Sequence, residues 1–380
     1  MNGSTSRKMR KLLFVISSLE GHGGSERSLC LRVNYLVEKY GYNIHIVTTH
    51  PGATSSIYPL NSKIIVTNIP TERYKNRFIY KIPQVLTCIK WESELTNFIV
   101  RNDFDICSSL GAETFHYTSR EKKIKKIKEQ RFTYKKYQTW ESCSFIKKIW
   151  RRIRFKSIVN TMRRMDCVVS LTDEDASFWR RYTQNVVVIP NFINLNNTFP
   201  ASLDSNKIIS VGRLEKEKDF ASLIDAFEIV SKHRQNWKLE IYGNGSLSNE
   251  LLERVKEYRL GQFVTIVPAT KDIFEKYQHA SIYVHTAVYE GFSNSVLEAL
   301  AHRLPVVAFE SVGGVKVLVE NKYNGFLVEK RSVSDLADRM MMLIDDFELR
   351  VKMGEASLRV AERFTEDKVM SMWHDLYSSI

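Results

Sequence analysis

Cysteine is scarce in this chain of 380 residues, and long apolar runs are missing. The five cysteines are odd in number and form no Cys-x-x-Cys pair, which excludes a disulfide scaffold or a zinc knuckle and favours a reducing compartment. No stretch approaches the roughly 18 apolar residues that could span a bilayer. The first apolar run, Leu12–Ile16, is too short for the core of a signal peptide. We therefore expect a soluble or peripheral protein.

Signatures of metal enzymes and hydrolases are also missing. The sequence contains no His-Glu-x-x-His motif and no Ser/His/Asp spacing typical of hydrolases. Two Asp-x-Asp triplets occur, but Asp173–Asp175 is typical of the acidic start of a helix, and Asp103–Asp105 precedes a strand pattern. We expect neither a metal site nor a cofactor.

Acidic residues are rare in residues 120–164. This segment holds 17 Lys and Arg residues against three acids, whereas the whole chain has a formal net charge of +13. The remaining sequence is therefore close to neutral. This distribution predicts one basic patch with an anionic partner.

Strand-like and helical patterns alternate in both halves of the chain. The first half opens with an apolar run, Leu12–Ser17, and a helical pattern, Glu26–Tyr40. The second half opens in the same way with Lys207–Val211 and Phe220–His233. Such alternation predicts an α/β protein with parallel sheets built from βαβ units.

The chain length and one polar linker predict two domains. The linker, Asn191–Ser205, directly follows Pro190, contains Pro200 and separates the halves. We place an N-terminal domain over residues 1–195 and a C-terminal domain over residues 196–363. The last segment, Glu366–Tyr377, has the pattern of an amphipathic helix.

Residues 290–298 form the most informative turn. They follow a buried strand pattern and lead into a helical one, so they lie at the carboxyl end of a strand, where open α/β sheets bind ligands. Gly291 allows close backbone approach, and either Ser293 or Asn294 can cap a helix whose free N–H groups suit phosphate. Glu290 and Glu298 accept hydrogen bonds only, which suits hydroxyls. Phosphate flanked by polyols describes a sugar nucleotide.

This turn resembles the E-x7-E signature of retaining glycosyltransferases of the GT-B fold, family 4, also called glycosyl transferases group 1. Further segments resemble that family in order and spacing: Gly23–Arg27, Val187–Asn191, Val211–Asp219, Ile241–Gly245 and Asn324–Val328. The resemblance implies two Rossmann-like parallel-sheet domains facing across a cleft, with residues 364–380 returning to the first domain. It also implies sugar transfer from a nucleotide-diphosphate sugar to a hydroxyl of a glycan or lipid-linked glycan, in surface polysaccharide or glycolipid synthesis.

The resemblance also assigns roles to particular residues. Arg213 and Lys218 are expected to stabilise the departing diphosphate, since fixed cations lower the barrier where negative charge develops. Glu290 is expected to accept the hydroxyls of the donor sugar, and Glu298 those of the ribose. Glu129 is expected to orient or deprotonate the acceptor hydroxyl. Further donor contacts are expected from Gly23, Gly24, Gly243, Gly245, Gly291, Phe292, Ser293, Asn294 and Ser295.

Apolar residues recur at helical spacing within the basic Phe145–Arg154 segment. The pattern suits a helix lying in a membrane interface, with its contacts made by Lys147, Lys148, Trp150, Arg151 and Arg152. We expect a cytoplasmic protein, peripheral on the inner face of the plasma membrane. A helix packed on its own domain with a solvated basic face is the alternative.

Other functions stay open at this point. The chain could be a different GT-B enzyme, such as an epimerase or phosphorylase, or a non-catalytic subunit that binds sugar nucleotides. A nucleic-acid partner for residues 120–164 is not expected, because no recognisable binding motif accompanies them. Val317 stands where relatives commonly carry an acid near the donor. The donor sugar is therefore open, and its base could be uracil or guanine.

Overall fold

Each half of the chain contains one parallel sheet in the computed structural model. The structure describes residues 10–21, 24–70, 94–110, 124–137 and 145–380. The chain divides into two compact units. Unit 1 comprises Met1–Arg131, Tyr137–Ile189 and Met370–Ile380, and unit 2 comprises Phe132–Lys136 and Pro190–Val369.

The sheet of unit 1 has seven strands. They are β1 (Lys11–Ile16), β2 (Asn43–Thr48), β3 (Ile65–Asn68), β4 (Ile106–Ser109), β5 (Lys125–Gln130), β6 (Cys167–Ser170) and β7 (Val186–Val188). Their spatial order is β3-β2-β1-β4-β5-β6-β7, and every neighbouring pair is parallel. This is a Rossmann-like order, in which the chain reverses its direction of travel between β1 and β4.

Helices of unit 1 follow its strands. Within the described ranges, they are Gly24–Tyr40, Phe145–Met162 and Asp173–Arg180, together with the helical residues 94–102. The Thr172 side chain caps the third of these by accepting a hydrogen bond from Asp175 N at 3.2 Å. The acids that follow Thr172 lie in the first turn, where the helix dipole favours negative charge.

Strand β5 was not predicted from the pattern of apolar runs. Its residues, Lys-Lys-Ile-Lys-Glu-Gln, pair with β4 on one side and β6 on the other. Lys126 and Lys128 are therefore only 7% and 4% exposed, and Arg131 just beyond the strand is 9% exposed. The prediction that residues 120–164 form one basic patch is wrong, because part of their charge lies inside unit 1.

The main sheet of unit 2 has six strands. They are β8 (Lys207–Val211), β9 (Lys238–Tyr242), β10 (Val264–Val267), β11 (Ile282–His285), β13 (Val306–Phe309) and β15 (Gly325–Val328). Their order is β10-β9-β8-β11-β13-β15, all parallel. Two short strands, β12 (Tyr289–Glu290) and β14 (Val312–Gly313), pair separately. The direction of travel reverses between β8 and β11, and ligands bind at such a switch point.

Helices cover the sheet of unit 2. They are Phe220–His233, Ser248–Glu257, Ile273–Gln278, Asn294–Ala301, Val315–Leu318, Val333–Asp345 and Phe347–Ala361. The first of them buries Leu223, Ile224, Phe227 and Val230 completely, at the spacing that places apolar residues on one face. These side chains belong to the large core of the unit.

The last helix, Glu366–Ser379, begins in unit 2 and ends in unit 1. Within unit 1, its Trp373 and Tyr377 are 2% and 0% exposed. His374 Nδ1 lies 2.9 Å from the hydroxyl of Tyr42.

The prediction of two Rossmann-like parallel-sheet domains is confirmed. Among the residues that the structure describes, no helix is long and apolar enough to cross a membrane.

Candidate active site

Two loops meet at the carboxyl ends of β8 and β11. Gly212–Asp219 follows β8, and Thr286–Glu290 follows β11. Val288 N donates to Glu217 O at 2.8 Å, and Thr286 Oγ1 donates to Lys218 O at 2.9 Å. The loops are therefore bonded to each other at the switch point of the sheet.

Lys218 and Glu290 are in direct contact in this crevice. Lys218 Nζ lies 2.7 Å from Glu290 Oε1 and 2.6 Å from Oε2. Their side chains are 13% and 19% exposed, so the pair is largely shielded from water. Short bonds between two charged groups are stronger than those between neutral groups. The residues that the sequence assigned to diphosphate and to sugar thus occupy one site.

His285 is the third member of this group. Its Nε2 lies 3.2 Å from Glu290 Oε2, and its side chain is 3% exposed. Burial lowers the pKa of His285 more than the nearby Glu290 raises it, so the ring is neutral at pH 7. Burial also acts to raise the pKa of Glu290, but Lys218 and His285 outweigh it and hold that pKa well below its usual range. Glu290 is therefore ionised.

Arg213 is oriented differently from Lys218. Its side chain is 62% exposed, and Nη2 donates to Glu217 Oε1 at 2.7 Å on the rim of the crevice. The structure brings Lys218 onto Glu290 and leaves Arg213 at the surface of the same loop.

Side chains in the turn after Glu290 are held by the protein. Phe292 is 5% exposed and packs edge-on against Phe364, with the ring centroids 5.4 Å apart. Ser293 caps the helix Asn294–Ala301, accepting from Val296 N at 3.5 Å. The prediction that Ser293 or Asn294 caps this helix is confirmed for Ser293.

The next two side chains of the turn are also engaged. Asn294 Oδ1 accepts from Asn191 Nδ2 at 2.7 Å, and Ser295 Oγ accepts from the Tyr283 hydroxyl at 2.8 Å. Glu298 lies one turn into the helix and is 7% exposed. Its Oε2 accepts from the Tyr277 hydroxyl at 3.3 Å. The carboxylate before the turn therefore contacts a lysine and a histidine, whereas the one within the helix accepts from a tyrosine.

Glycines around the crevice are required by contacts within the protein. A Cβ on Gly313, whose φ is +101°, would lie 2.0 Å from Glu290 O, and one on Gly314 would lie 2.4 Å from Phe292 Cα. A Cβ on Gly243 would lie 1.8 Å from Gly212 O. One on Gly245 would lie 2.3 Å from Leu214 O. Close packing between loops accounts for Gly243 and Gly245 without a ligand.

Glu129 lies in a buried ionic cluster of unit 1. Its Oε1 accepts from Arg32 Nη2 and from Ser108 Oγ, both at 2.7 Å, and Arg131 Nη1 lies 3.6 Å from Oε2. The Glu129 side chain is 1% exposed. Burial acts to raise its pKa, but Arg32 and Arg131 outweigh it and lower the pKa. A carboxylate with a lowered pKa is a weak proton acceptor. These contacts therefore make Glu129 a buried counter-ion for Arg32 and Arg131.

The remaining predicted residues are described only in part. Gly23 lies outside the described residues, and Gly24 begins the helix Gly24–Tyr40. The basic helix forms as Phe145–Met162, and Arg152 on it is exposed. The other predicted membrane contacts have side chains outside the described set: Lys147, Lys148, Trp150 and Arg151. Within the described ranges, no three His, Cys, Asp or Glu residues gather as metal ligands would.

The sequence did not single out His285, or Arg331, whose guanidinium donates to groups in the same two loops. His285 is the last residue of a buried strand that leads into the predicted turn, and a polar residue at that position was the available signal. Arg331 follows the edge strand β15, and nothing in the sequence around it indicates a role at the site.

Comparison with known proteins shows which class of enzyme this chain resembles. Residues 194–360 match the family model described as glycosyl transferases group 1. The chain is a glycosyltransferase with the GT-B fold, and it is similar to that group 1 family over those residues. The prediction of a GT-B glycosyltransferase, made from the sequence motifs, is confirmed.

Relatives cover nearly the whole chain. An uncharacterized glycosyltransferase of Haemophilus influenzae is 27% identical, over 96% of this chain and 99% of its own. A Campylobacter jejuni enzyme, N-acetylgalactosamine-N,N'-diacetylbacillosaminyl-diphospho-undecaprenol 4-alpha-N-acetylgalactosaminyltransferase, is 25% identical over 95% and 97%. The crystal structure of Anabaena HepE with UDP-glucose superimposes with a TM-score of 0.75, covering 97% of this chain and 100% of that chain at 16% identity.

Proposed function

We propose that this enzyme transfers a sugar, with retention of anomeric configuration, from a nucleoside diphosphate sugar to a hydroxyl of a lipid-linked glycan. The observation that carries the proposal is the contact of Lys218 Nζ with both oxygens of Glu290 at the switch point of the unit 2 sheet. A cation beside a carboxylate that only accepts hydrogen bonds fits a phosphate adjoining a polyol.

Donor binding would redistribute this pair. Phosphate oxygens would replace Glu290 as the partner of Lys218, and the released carboxylate would accept the hydroxyls of the donor sugar. Glu290 suits this role because its lowered pKa keeps it ionised. Arg213 is exposed, so its long side chain is free to turn from Glu217 toward the diphosphate. Two cations on the leaving group would stabilise the charge that develops in the transition state.

The helix Asn294–Ala301 would supply further anion binding. It begins one short turn after Glu290, and backbone N–H groups at a helix start favour phosphate. We assign the turn residues Gly291, Phe292, Ser293, Asn294 and Ser295 to the donor through their backbone. Glu298, oriented by Tyr277, would accept the ribose hydroxyls. With this set of cations and N–H groups, we expect transfer without a metal ion.

Named relatives support the choice of donor and acceptor. HepE binds UDP-glucose, and the Campylobacter enzyme is named for an acceptor linked to diphospho-undecaprenol. We therefore favour a UDP-sugar donor and a polyprenyl-diphosphate glycan acceptor. Front-face transfer, in which a donor phosphate oxygen takes the acceptor proton, is the mechanism that we propose for retention.

Acceptor-independent hydrolysis tests this proposal. The protein would be incubated with UDP- and GDP-sugars, and the released sugar followed by proton NMR before it mutarotates. We expect slow release from one donor class, with the same anomer as in the donor. Release of the opposite anomer would contradict retention, and hydrolysis that persists in Lys218→Met would contradict the assigned site.

The basic helix Phe145–Met162 supports a membrane-bound acceptor. Ile149 and Ile153, one turn apart, are 42% and 57% exposed, and Arg152 and Lys156 beside them are exposed. An apolar pair flanked by cations suits an anionic bilayer surface. We expect the wild type to sediment with vesicles that contain phosphatidylglycerol. The double variant Ile149→Ser, Ile153→Ser should stay in the supernatant. Equal binding of the variant would contradict docking through this face.

A further inference from the structure

Arg331 reaches across the carboxyl edge of the unit 2 sheet toward the donor site. It ends a short 3-10 turn, Glu329–Arg331, directly after the edge strand β15. Its side chain extends past the end of β13, where the guanidinium lies 4.5 Å from the centroid of the Phe309 ring. It then reaches the loops that follow β11 and β8. One side chain therefore connects the ends of four strands.

The guanidinium makes three bonds to these two loops. Nη1 donates to Ala287 O at 3.1 Å, and Nη2 donates to Thr286 O at 2.8 Å. Nη2 also donates to Asp219 Oδ2. Asp219 follows Lys218 in the chain, and Thr286–Ala287 leads to Glu290. The Arg331 side chain is 29% exposed, so these bonds are partly shielded from water.

Arg331 and its partner Asp219 both have unusual backbone conformations. Arg331 has φ +54° and Asp219 has φ +48°, in the left-handed region that favours glycine. Asp219 also caps the helix Phe220–His233, because Oδ2 accepts from Ser222 Oγ at 2.8 Å and Oδ1 from Ser222 N at 3.4 Å. An arginine at position 331 works against backbone preference. Its side-chain bonds offset that cost.

We propose that Arg331 is a positioning residue that sets the separation and orientation of Lys218 and Glu290 for the donor. It acts through the Asp219 carboxylate and the Thr286 and Ala287 carbonyl groups, and does not touch the substrate. A planar guanidinium can serve three acceptors at fixed angles, whereas a lysine amine at the same position cannot reproduce that fork. The inference rests on the proposed donor site and adds a residue that holds Lys218 and Glu290 in position.

Three substitutions at position 331 separate positioning from folding. Arg331→Met keeps length and loses the bonds, Arg331→Lys keeps the charge, and Arg331→Gly loses the bonds while relieving the positive φ. Binding of UDP and GDP would be measured by calorimetry, and melting temperature by scanning. We expect about tenfold weaker nucleotide binding in the Met and Gly variants and partial retention in the Lys variant. The Gly variant should melt within a few degrees of the wild type.

A matched control lies on the same unit. Arg234 also bonds an aspartate, in a two-pronged pair with Asp345 whose N–O distances are 2.6 and 2.7 Å, at the far end of the helix Phe220–His233. Arg234→Met should leave nucleotide affinity unchanged. Weakening by Arg234→Met equal to that by Arg331→Met would show a general effect of lost stability and would overturn the inference.

A double-mutant cycle tests whether Arg331 acts through Lys218. If it does, Arg331→Met should weaken nucleotide binding much less in a Lys218→Met background than in the wild type. Additive effects, or wild-type affinity in Arg331→Met, would overturn the positioning role and leave the donor site standing. A folded wild type that bound neither nucleotide would overturn the proposed function, and this inference with it.

Discussion

Lys218 Nζ bonds both carboxylate oxygens of Glu290, 72 residues further along the chain, at 2.7 and 2.6 Å. Each residue thus neutralises the other in the absence of ligand. Under the proposed function, a donor must separate them, which would couple the recognition of diphosphate to the recognition of the sugar. A nucleotide without sugar would free Glu290 without giving it a new partner.

Glu290→Gln should separate these two functions. The neutral amide holds Lys218 less strongly, so UDP alone should bind at least as tightly as to the wild type. Sugar transfer or donor hydrolysis should fall by about 100-fold or more, because charge-assisted bonds to the sugar are lost. Calorimetry with UDP and an assay with UDP-sugars would measure both. Glu253→Gln, at a residue whose side chain is 70% exposed, is the control. Loss of UDP binding in Glu290→Gln would contradict the account.

Gly243→Ala should destabilise unit 2 without any ligand present. A Cβ there would lie 1.8 Å from Gly212 O, so the backbone must move, at a cost of about 1–3 kcal/mol. Gly261→Ala is the matched control, since a Cβ at that position meets nothing within 4 Å. Urea unfolding of the two variants would give the difference. Equal stability would show that position 243 tolerates a side chain.

Glu129→Gln should act on stability in unit 1. The substitution leaves Arg32 and Arg131 buried without their counter-charge, and removing one partner from a buried ionic group costs about 3–5 kcal/mol. Glu38→Gln, on an exposed face of the same unit, should be close to neutral. A Glu129→Gln protein with wild-type stability but no transfer activity would instead support a role of Glu129 on the acceptor.

His45 should make unit 1 sensitive to mild acid. Burial, followed by the nearby Lys11, lowers the pKa of His45 from 6.5 to about 4. Below pH 6.5 the unfolded chain binds a proton on this histidine, whereas the folded chain does not until the pH is near 4. The free energy of unfolding that depends on neutral His45 is therefore complete above pH 6.5 and is lost as the pH falls toward 4. Between pH 7 and 5, the wild type should lose about 2 kcal/mol more free energy of unfolding than His45→Gln. Equal losses would contradict a neutral His45.

Periodicity predicted much of the fold, because buried parallel strands are apolar runs. The pattern gave β8 and the helix Phe220–His233 with the bounds that the structure shows. It missed β5, whose six residues include three lysines and carry no apolar run. Buried lysines in a central strand depend on partners contributed by other segments, such as Ser109 O for Lys128 Nζ at 3.3 Å. Local sequence does not contain that information.

The candidate site was predictable in composition and not in geometry. Motif resemblance brought Lys218, Glu290 and Glu298 into one prediction. It could not show that Lys218 and Glu290 bond each other, or that Arg213 is turned toward Glu217. Arg331 was missed because its partners come from two other loops. Such contacts arise from the order of strands in the sheet, which brings distant segments to one edge.

Ligand-induced melting shifts would measure whether the protein binds a nucleotide and whether Lys218 is needed. Wild type, Lys218→Met and the exposed-site control Lys216→Met would be melted with UDP, GDP, UDP-sugars and GDP-mannose. A ligand at 100 times its dissociation constant stabilises a protein by about 2.7 kcal/mol, which is readily seen as a shift. We expect a selective shift in the wild type and in Lys216→Met that is lost in Lys218→Met. A folded wild type that no nucleotide stabilises, or a shift unchanged in Lys218→Met, would contradict the donor site.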